Sequence, residues 1–452
     1  MIKKILIANR GDIAVRIIRT CKELGIETVA IYSDADKECL HRYLADESIC
    51  IGPSSIAKSY NNIDNIIYLA LKLECDAIHP GFGFLSENTD FAKKCEENNI
   101  ILIGPTKEQM LLMGDKARAR ETMINLDIPV VPGSDGIIKD KEESLIIANR
   151  IGYPVIIKAA NGGGGKGMRV VWNDKELLNN FDITSSEALS AFSNSDLYME
   201  KYIENPRHIE VQVFGDNFGN AIHLSGRDCS MQRRNQKVIE ESIGTYLDDN
   251  DKENLFDIAI NIVKGINYRG AGTVEFIVDS NKNFYFIEMN TRIQVEHPVT
   301  EMITGIDLIK LQILIANNDP IPFKQEEVIF RGHAIECRIN AEDPVDDFRP
   351  CPGKITSMNV PGGFGVRFDT FIYAGYTIPP VFDSMIGKLI CWGEDREQCI
   401  NRICRALDEI IIEGINTNIE FQKSLISNDS FKNNTHHTKF IENEFMVEVC
   451  TL

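Results

Sequence analysis

The chain has 452 residues, and its hydrophobic content of 43% and charged content of 25% are ordinary for a globular protein. Its 48 basic and 67 acidic residues give a net charge of −19, which argues against a nucleic acid or an anionic membrane as partner. The twelve cysteines form no CxxC pair, so neither a zinc site nor a redox motif is indicated. Scattered thiols suit the reducing cytoplasm, and the first apolar run is too short for a signal peptide.

Over roughly the first hundred residues, apolar strand-like runs alternate with helix-like segments. The runs lie at 5–8, 28–32, 77–78 and 100–103, and the helical patterns at 65–72 and 88–97. This alternation predicts a doubly wound parallel sheet. No G-x-G-x-x-G turn follows the first run, which counts against an NAD enzyme. The glycine-punctuated segment 79–87 leaves a strand at its carboxyl end, where such sheets bind ligands.

A cation-bearing helix is predicted at about 114–128, followed by Pro129 and Pro132, which suggest a boundary. Lysines on helices are usually only solvated, so sequence alone gives Lys116 no binding role.

The glycine-rich segment 159–167 connects predicted strands at 155–158 and 168–171. Glycine lets the backbone approach a ligand closely, and successive N–H groups can bind an anion. The spacing is not that of a P-loop. We therefore favour a flap over phosphates, with a flexible linker as the alternative.

Residues 208–214 and 221–224 alternate apolar and polar side chains, which predicts antiparallel strands. The cation-dense run 227–237 follows, and a solvated loop is its default interpretation. An anion-holding wall is the alternative, since the run lies upstream of a carboxylate-bearing hairpin. The run 197–203 predicts a short apolar strand. A purely structural role, as a core strand that leads into a linker, is at least as good an interpretation as a binding role.

That hairpin is predicted from the runs 272–278 and 284–290, which carry Glu275, Glu288 and Asn290. With a four-residue loop, Glu275 lies one diagonal step from Glu288 on the same face, whereas a one-residue slip separates them. Two carboxylates and an amide oxygen make an oxygen-only site suited to Mg²⁺ that carries phosphates. Ordinary surface carboxylates are the alternative. The residues after the second strand add a cation and a candidate base: Arg292 and Glu296.

Beyond the hairpin, a helix is predicted from 300 to about 315. The run 332–340 then alternates as a strand, with Glu336 and Arg338 on one face and apolar residues on the other.

Five motifs, in order, closely resemble those of biotin carboxylase. They are NRGD at 9–12, the glycine loop at 162–167, MQRR at 231–234, EMNTRIQVEHP at 288–298 and CRINAEDP at 337–344. The match is collinear from about residue 2 to about residue 442, which makes it far more specific than any single motif. It implies an α/β and α+β ATP-grasp fold with an N-terminal doubly wound domain, a mobile lid subdomain and a C-terminal mixed domain. The implied domains are 1–114, 115–330 with the lid at about 131–203, and 331–452.

The resemblance implies that ATP phosphorylates bicarbonate to carboxyphosphate and that the carboxyl group passes to biotin on a separate carrier protein. This is the first half-reaction of a biotin-dependent carboxylase, such as acetyl-CoA carboxylase in fatty acid synthesis. The alternatives are a subunit of a pyruvate or other acyl-CoA carboxylase, another ATP-grasp ligase, or a non-catalytic nucleotide-binding subunit. The implied partners are a biotin carboxyl carrier protein and a carboxyltransferase. Since the chain has no Met-Lys-Met acceptor turn, we expect no covalent biotin on it.

The resemblance also assigns roles to matching residues. Lys116 and Lys158 hold ATP phosphates, Gly164 and Gly165 cover them, and the remaining nucleotide-binding residues are Glu200, Lys201, Tyr202, Ile203, His208, Gln232 and Asn235. The implied ligands of Mg²⁺ or Mn²⁺ are Glu275, Glu288 and Asn290. The implied bicarbonate site is Lys237, Arg292, Gln294 and the Val295 backbone, with Glu296 as base and Arg338 on the biotin ureido oxygen. A homodimer is implied through Arg19, Glu23, Phe364 and Arg367.

One position departs from the family. Biotin carboxylases usually have histidine where this chain has Asn235. Asparagine keeps a donor and an acceptor but cannot become cationic, which puts the nucleotide contact at this position in question.

Overall fold

The computed structural model describes residues 1–159, 167–192, 194–244 and 246–447. The chain divides into two compact units. Unit 1 comprises Met1–Asp127, Arg207–Phe276 and Glu288–Leu452, and unit 2 comprises Ile128–Pro206 and Ile277–Ile287. Among the described residues, no helix combines the length and apolar character that a membrane crossing requires.

The strands and helices follow one another in mixed order along the chain. The strands are β1 (Lys4–Ile7), β2 (Glu27–Ser33), β3 (Glu47–Gly52), β4 (Ala77–His79), β5 (Ile101–Leu102), β6 (Val155–Ala159), β7 (Met168–Val171), β8 (Leu197–Lys201), β9 (Arg207–Gly215), β10 (Ala221–Arg233), β11 (Gln236–Ser242), β12 (Gly270–Val278), β13 (Phe284–Asn290), β14 (His333–Asn340), β15 (Glu342–Asp343), β16 (Arg349–Pro350), β17 (Ser357–Asn359), β18 (Val366–Thr370), β19 (Met385–Gly393) and β20 (Ile411–Glu413). The helices are α1 (Gly11–Glu23), α2 (Leu40–Leu44), α3 (Ile63–Lys72), α4 (Thr89–Glu97), α5 (Lys107–Gly114), α6 (Lys116–Asn125), α7 (Lys141–Ile151), α8 (Asp174–Phe192), α9 (Asp249–Gly265), α10 (His297–Thr304), α11 (Leu308–Ala316), α12 (Arg396–Glu409), α13 (Ile419–Ser427) and α14 (Asp429–Lys432).

The first sheet of unit 1 is parallel, with strand order β3-β2-β1-β4-β5. Ile5 and Ile7 of β1 belong to one apolar cluster, whereas Leu6 and Ala8 belong to another. Because successive side chains of a strand point to opposite faces, both faces of this sheet are covered. The predicted doubly wound domain is confirmed. The sequence interpretation missed β3, an edge strand whose residues are mostly half-buried.

The second sheet has eight strands in the order β13-β12-β9-β10-β11-β14-β19-β18. The predicted antiparallel pairing of β9 with β10 is confirmed. The solvated loop expected at 227–237 is wrong, because these residues form most of a β10–β11 hairpin. Its two-residue turn is Arg234 and Asn235, which have φ values of 50° and 62°. A tight hairpin turn of this type needs positive φ at both positions, and asparagine tolerates that conformation better than most residues.

A β-bulge in β11 decides which way its charged residues point. Met231 pairs with Ile239, but the next residue, Gln232, pairs with Lys237, so Val238 is an extra residue. Val238 and Ile239 both contact the apolar cluster that also contains Met231. Lys237 consequently shares the opposite face with Gln232. We call this the site face.

A single helix was expected from 300 to about 315, and this prediction is wrong. Helix α10 ends at Thr304, and Gly305 takes the left-handed conformation with φ of 69° before α11 begins at Leu308. The left-handed conformation suits a residue without a Cβ, and it closes the first helix.

Unit 2 contains a three-stranded antiparallel sheet in the order β7-β6-β8. Its core includes Ile157, Val171 and Met199 from the strands and Leu177 from α8. The strands predicted on either side of the glycine-rich segment are therefore confirmed as β6 and β7. Gly164 and Gly165 lie outside the described residues.

Candidate active site

A cluster of charged side chains in unit 1 centres on Lys237. Its Nζ lies 2.6 Å from Glu210 Oε2, 3.1 Å from Glu275 Oε1 and 2.6 Å from Glu296 Oε1. We call Lys237, these three carboxylates and Arg338 the inner cluster. Although burial opposes the charge on Lys237, the surrounding acidic groups raise its pKa well above the usual value. The lysine is therefore a fixed cation.

Glu296 lies at the N-terminal end of α10 and is fully buried. Its second oxygen, Oε2, accepts a hydrogen bond from Arg338 Nη2 at 3.1 Å. Burial acts to raise the pKa of Glu296, but Lys237 and Arg338 outweigh it and hold the pKa well below the usual value. The ionised form is the one that can accept a proton, and the lowered pKa at the same time makes this carboxylate a weaker base than an ordinary glutamate.

Arg338 is held between two carboxylates. Its Nε donates to Glu240 Oε1 at 2.6 Å, and its Nη2 contacts the same oxygen at 2.5 Å. It shares the site face with Glu336, as the strand alternation predicts. Its acidic partners are nevertheless Glu240 and Glu296. One-fifth of the Arg338 side chain remains exposed, so the guanidinium is oriented and still accessible.

Glu275 is buried and accepts several hydrogen bonds. The donors include Asn290 Nδ2 at 2.8 Å and Gln294 Nε2 at 3.1 Å, and His208 Nε2 lies 2.8 Å from Oε2. Burial acts to raise its pKa, but Lys237 and His208 hold the pKa far below the usual value. The carboxylate is thus ionised and oriented.

The hairpin that carries this carboxylate differs in one detail from the prediction. Its loop has five residues, 279–283, whereas the shared face of Glu275 and Glu288 was predicted for a loop of four, so that face assignment stays a prediction. Asp279 closes the longer loop, since its side chain accepts from the backbone N–H groups of Asn281 and Asn283 at 2.8 and 3.0 Å.

Glu288 and Lys116 form a second, more open group, which we call the outer pair. Lys116 Nζ lies 3.8 Å from Glu288 Oε2, and the two side chains are 85% and 40% exposed. Burial raises the pKa of Glu288, and the negative charge of Glu275 raises it further. The nearby carboxylates therefore repel each other.

This repulsion fits a divalent cation. Glu275 and Glu288 provide hard oxygen donors, and a cation between them would remove the cost of holding two negative charges together. The Asn290 side chain directs its Nδ2 to Glu275 while its Oδ1 accepts from Arg292 Nη2 at 2.8 Å. Its oxygen would have to turn to serve as a ligand. The metal role of these three residues stays a prediction.

Arg292 is fixed by neighbours from different parts of unit 1. Its Nε donates to Glu87 Oε2 at 2.9 Å, and its Nη1 donates to Gln294 Oε1 at 2.7 Å. The glycine-punctuated segment 79–87 therefore reaches the predicted anion site. Close by, the carbonyl of Val295 accepts from Lys388 Nζ at 2.8 Å.

Three more residues of the predicted nucleotide site, His208, Gln232 and Asn235, lie in unit 1. Gln232 Nε2 is 2.6 Å from His208 Nδ1, which links the site face to Glu275 through the imidazole. Asn235 is exposed at the tip of the β10–β11 hairpin. Its nucleotide contact stays a prediction.

The remaining predicted nucleotide residues belong to unit 2. Lys158 of β6 pairs with Glu200 of β8 across the small sheet. Lys201 Nζ donates to the carbonyls of Gly152 and Tyr153 at 3.0 and 2.8 Å. The ring of Tyr202 makes an edge contact with Trp172, and Ile203 is half-buried. Their roles likewise stay predictions.

Several charged residues of the site were missed in the sequence. They are Glu87, Glu210, Arg227, Glu240 and Lys388. A usable signal existed for Lys388, which is the one charged residue of the apolar strand Met385–Gly393 and is fully buried. A lone charge in such a strand indicates a partner within the protein.

Three protein-family models match the chain. Their descriptions are Biotin carboxylase, N-terminal domain, at residues 1–110, Carbamoyl-phosphate synthase L chain, ATP binding domain, at 115–324, and Biotin carboxylase C-terminal domain, at 336–443.

Similar proteins match over nearly the whole chain. Biotin carboxylase 1 of Bacillus subtilis is 56% identical over 443 residues, 98% of each chain. The crystal structure of the biotin carboxylase subunit of pyruvate carboxylase is 50% identical, with a TM-score of 0.89 over 99% of each chain. The crystal structure of the biotin carboxylase domain dimer of Hydrogenobacter thermophilus 2-oxoglutarate carboxylase, with MgADP, ADP and bicarbonate, is 49% identical with a TM-score of 0.90 over 99% of this chain and 98% of that one. The resemblance seen in the motifs is confirmed, and the chain belongs to the biotin carboxylase family of ATP-dependent ligases.

Proposed function

We propose that this chain carboxylates biotin on a separate carrier protein, using ATP and bicarbonate. The observation that carries the proposal is the inner cluster, in which a buried cation, an ionised buried carboxylate and a partly exposed arginine meet. The reaction needs a cation that binds a small anion, a base that takes a proton, and a hydrogen-bond donor for a weakly acidic substrate.

Bicarbonate is a poor nucleophile, and its attack on the γ-phosphorus of ATP is helped by a base. Lys237, Arg292, Gln294 and the Val295 backbone would bind it, and Glu296 would take its proton. The contact of Lys388 with the Val295 carbonyl, 2.8 Å long, supports this assignment because it fixes the orientation of that peptide segment. The product of this step is carboxyphosphate.

The nucleotide would be bound by Lys116, Lys158, the Gly164–Gly165 loop, Glu200–Ile203, His208, Gln232 and Asn235. Mg²⁺ or Mn²⁺ on Glu275, Glu288 and Asn290 would neutralise charge on the transferring phosphoryl group. The charge of Glu275 adds to burial in raising the pKa of Glu288, which supports a cation there.

Arg338 would act on biotin. The ureido nitrogen is barely acidic, so a guanidinium on the ureido oxygen stabilises the anion that forms when the proton leaves. The hydrogen bond from Arg338 to Glu296 places this donor next to the bicarbonate base, which is where the two substrates must meet.

The proposal extends to assembly and location. We infer a homodimer with Arg19, Glu23, Phe364 and Arg367 in the contact, and partnership with a biotin carboxyl carrier protein and a carboxyltransferase in the cytoplasm. The Hydrogenobacter domain crystallised as a dimer, and Phe364 is 79% exposed here, which supports the contact. Sedimentation at micromolar concentration tests it, and a monomer would contradict it.

The domain division that we infer is 1–114, 115–330 with the lid at about 131–203, and 331–452. Both boundaries fall between the segments that the three family models match.

Acetyl-CoA carboxylase of fatty acid synthesis is the leading context. A pyruvate or other acyl-CoA carboxylase is the second candidate, favoured by the similarity to the biotin carboxylase component of pyruvate carboxylase.

Bicarbonate-dependent ATP cleavage, measured with and without free biotin, tests the function. We expect cleavage that requires bicarbonate and that biotin stimulates. Cleavage that biotin leaves unchanged would favour another ATP-grasp ligase. Nucleotide binding without cleavage would indicate a non-catalytic subunit. Co-purification of the partner subunits then identifies the final carboxyl acceptor.

A further inference from the structure

Two carboxylates face each other on the site face. Glu240 of β11 and Glu336 of β14 are directly paired in the antiparallel register. Their side chains therefore leave the sheet on the same side, with Cβ atoms about 4.5–5.5 Å apart. Both residues are fully buried. Two ionised carboxylates at directly paired positions in a dry environment repel each other, which favours a proton on one of them.

The hydrogen bonds of the pair locate this proton. Within the described residues, Glu240 Oε2 and both carboxyl oxygens of Glu336 have no hydrogen-bond partner. The other oxygen of Glu240 accepts from Arg338 Nε at 2.6 Å. Buried polar atoms are nearly always paired. A proton on Glu336, donated to Glu240 Oε2, gives a partner to an unpaired oxygen on each residue.

The charges around the pair agree with a neutral Glu336. Lys388 of β19 is, with Arg338, a cation that acts on Glu336, yet it pairs with Asp12 of α1 at 3.1 Å and donates to the Val295 carbonyl. Burial raises the pKa of Glu336 well above the usual value against the opposing charges of Lys388 and Arg338, and the charge of Glu240 adds to the effect of burial. Burial also raises the pKa of Glu240, to about 6, against the opposing effect of Arg338. The other acidic group that faces them is Glu296.

We propose that Glu336 is a positioning residue for the biotin half of the reaction: it holds a proton and donates it to Glu240, which fixes the carboxylate that orients Arg338. The inference rests on the proposed function, since it assigns a purpose to the orientation of Arg338. With Glu336 neutral, the guanidinium is shared between Glu240 and Glu296. An ionised Glu336 would add negative charge beside both and draw Arg338 away from the ureido oxygen.

Two substitutions at position 336 distinguish the effect of the hydrogen-bond donor from the effect of side-chain volume. Glu336→Gln keeps an N–H donor for Glu240, and we expect biotin-dependent kcat/KM to stay within about threefold of wild type. Glu336→Leu fills similar space without a donor, and we expect a loss of roughly ten- to a hundredfold, the usual effect of a lost hydrogen bond to a charged group. Biotin-independent ATP cleavage should fall much less. Equal activity of both variants with wild type, or an equal loss in both, would overturn the proposal.

A stability measurement tests the proton without relying on activity. A carboxyl group with a raised folded pKa stabilises the fold at low pH, and that contribution is lost as the pH rises towards the folded value. Wild type should therefore lose thermal stability relative to Glu336→Gln between pH 5 and 8. A matched control is Asp369→Asn of β18. Arg367 outweighs burial there and lowers the Asp369 pKa, so this variant should be destabilised by a constant amount over the same range.

The two readouts distinguish two kinds of failure. If wild type shows no biotin-stimulated turnover but its melting temperature falls relative to Glu336→Gln as described, the proposed function fails while the proton on Glu336 stands. If the difference in melting temperature between wild type and Glu336→Gln is constant with pH, the buried proton is excluded and this inference fails, whatever the activity.

Discussion

The inner cluster and the outer pair differ in how far the fold itself neutralises their charges. Lys237 is 13% exposed and contacts three carboxylates, whereas Lys116 is 85% exposed and lies 3.8 Å from a single carboxylate. The protein therefore orients the groups proposed for bicarbonate and biotin before substrate arrives. The groups proposed for phosphate and metal are left loosely paired, so that the ligand completes them. Preorganised charges favour a transition state, while loosely held charges favour binding and release.

The largest effect should come from removing the central cation. Lys237→Met leaves the buried Glu296 without its closest positive charge and removes one of the two cations that contact the buried Glu210. Losing one partner of a buried ion pair usually destabilises a fold by about 3–5 kcal/mol. Urea-induced unfolding of the variant and wild type measures the loss. A variant as stable as wild type would show that the inner cluster is not held together by this lysine.

The next effect separates the two substrates. Arg338→Ala should reduce biotin carboxylation by roughly a hundredfold or more, as expected for one lost oxyanion donor, while biotin-independent ATP cleavage largely survives. Glu288→Gln should lower both rates together, because it removes charge where the nucleotide phosphates are neutralised. Steady-state assays of both activities measure the split, with thermal stability and ATP affinity as controls. If Arg338→Ala abolished basal ATP cleavage as thoroughly as Glu288→Gln, the arginine would be structural.

Lowering the pH should affect the outer pair before it affects the inner cluster. The pKa of Glu288 is raised by burial and by Glu275, so this carboxylate protonates before Glu275 and Glu296 as the pH falls from 7.5 into the acid range. Despite burial, Lys237 lowers the pKa values of Glu275 and Glu296, so their contribution to stability is complete above the usual carboxyl pKa and is lost only as the pH falls below it. We expect MgADP affinity to weaken severalfold over this range while the urea midpoint hardly changes. Titration calorimetry with Glu288→Gln as control checks this, since the variant should bind weakly at every pH.

The smallest effect concerns stability at the outer pair. Lys116→Met should change the free energy of unfolding by no more than about 0.5 kcal/mol, because exposed ion pairs contribute little. ATP affinity should nevertheless fall. Urea unfolding and nucleotide titration of the same preparation measure both quantities. A destabilisation comparable to that of Lys237→Met would remove the distinction between the two groups.

Much of the fold was predictable because its strands follow simple patterns. The alternation of β14 placed Glu336 and Arg338 on one face, and the structure agrees. The first sheet was predictable because both faces of its central strands are apolar. The break between α10 and α11 was missed because an isolated glycine is tolerated within a helical pattern.

The charged partners of the site were harder to predict. Residues 227–237 were read as a solvated loop because cations in an acidic chain are usually at the surface, yet Arg227 is fully buried against Glu210. Such pairings depend on which strands become neighbours, and β14 pairs with β11 although it lies far along the chain from the consecutive strands β9, β10 and β11. Local patterns carry no information on that order. The metal and nucleotide roles came from the family resemblance and stay predictions.

The bulge at Val238 has a consequence for protein engineering. A combinatorial library that patterns β11 with polar and apolar residues at strict alternate positions would treat Lys237 and Ile239 as equivalent. It would put an apolar residue at 237 and a charged one at 238, opposite to the faces that the register of β10 and β11 gives them. Redesign of this hairpin therefore has to follow the pairing of Gln232 with Lys237 and leave two consecutive apolar positions, 238 and 239, on the core side.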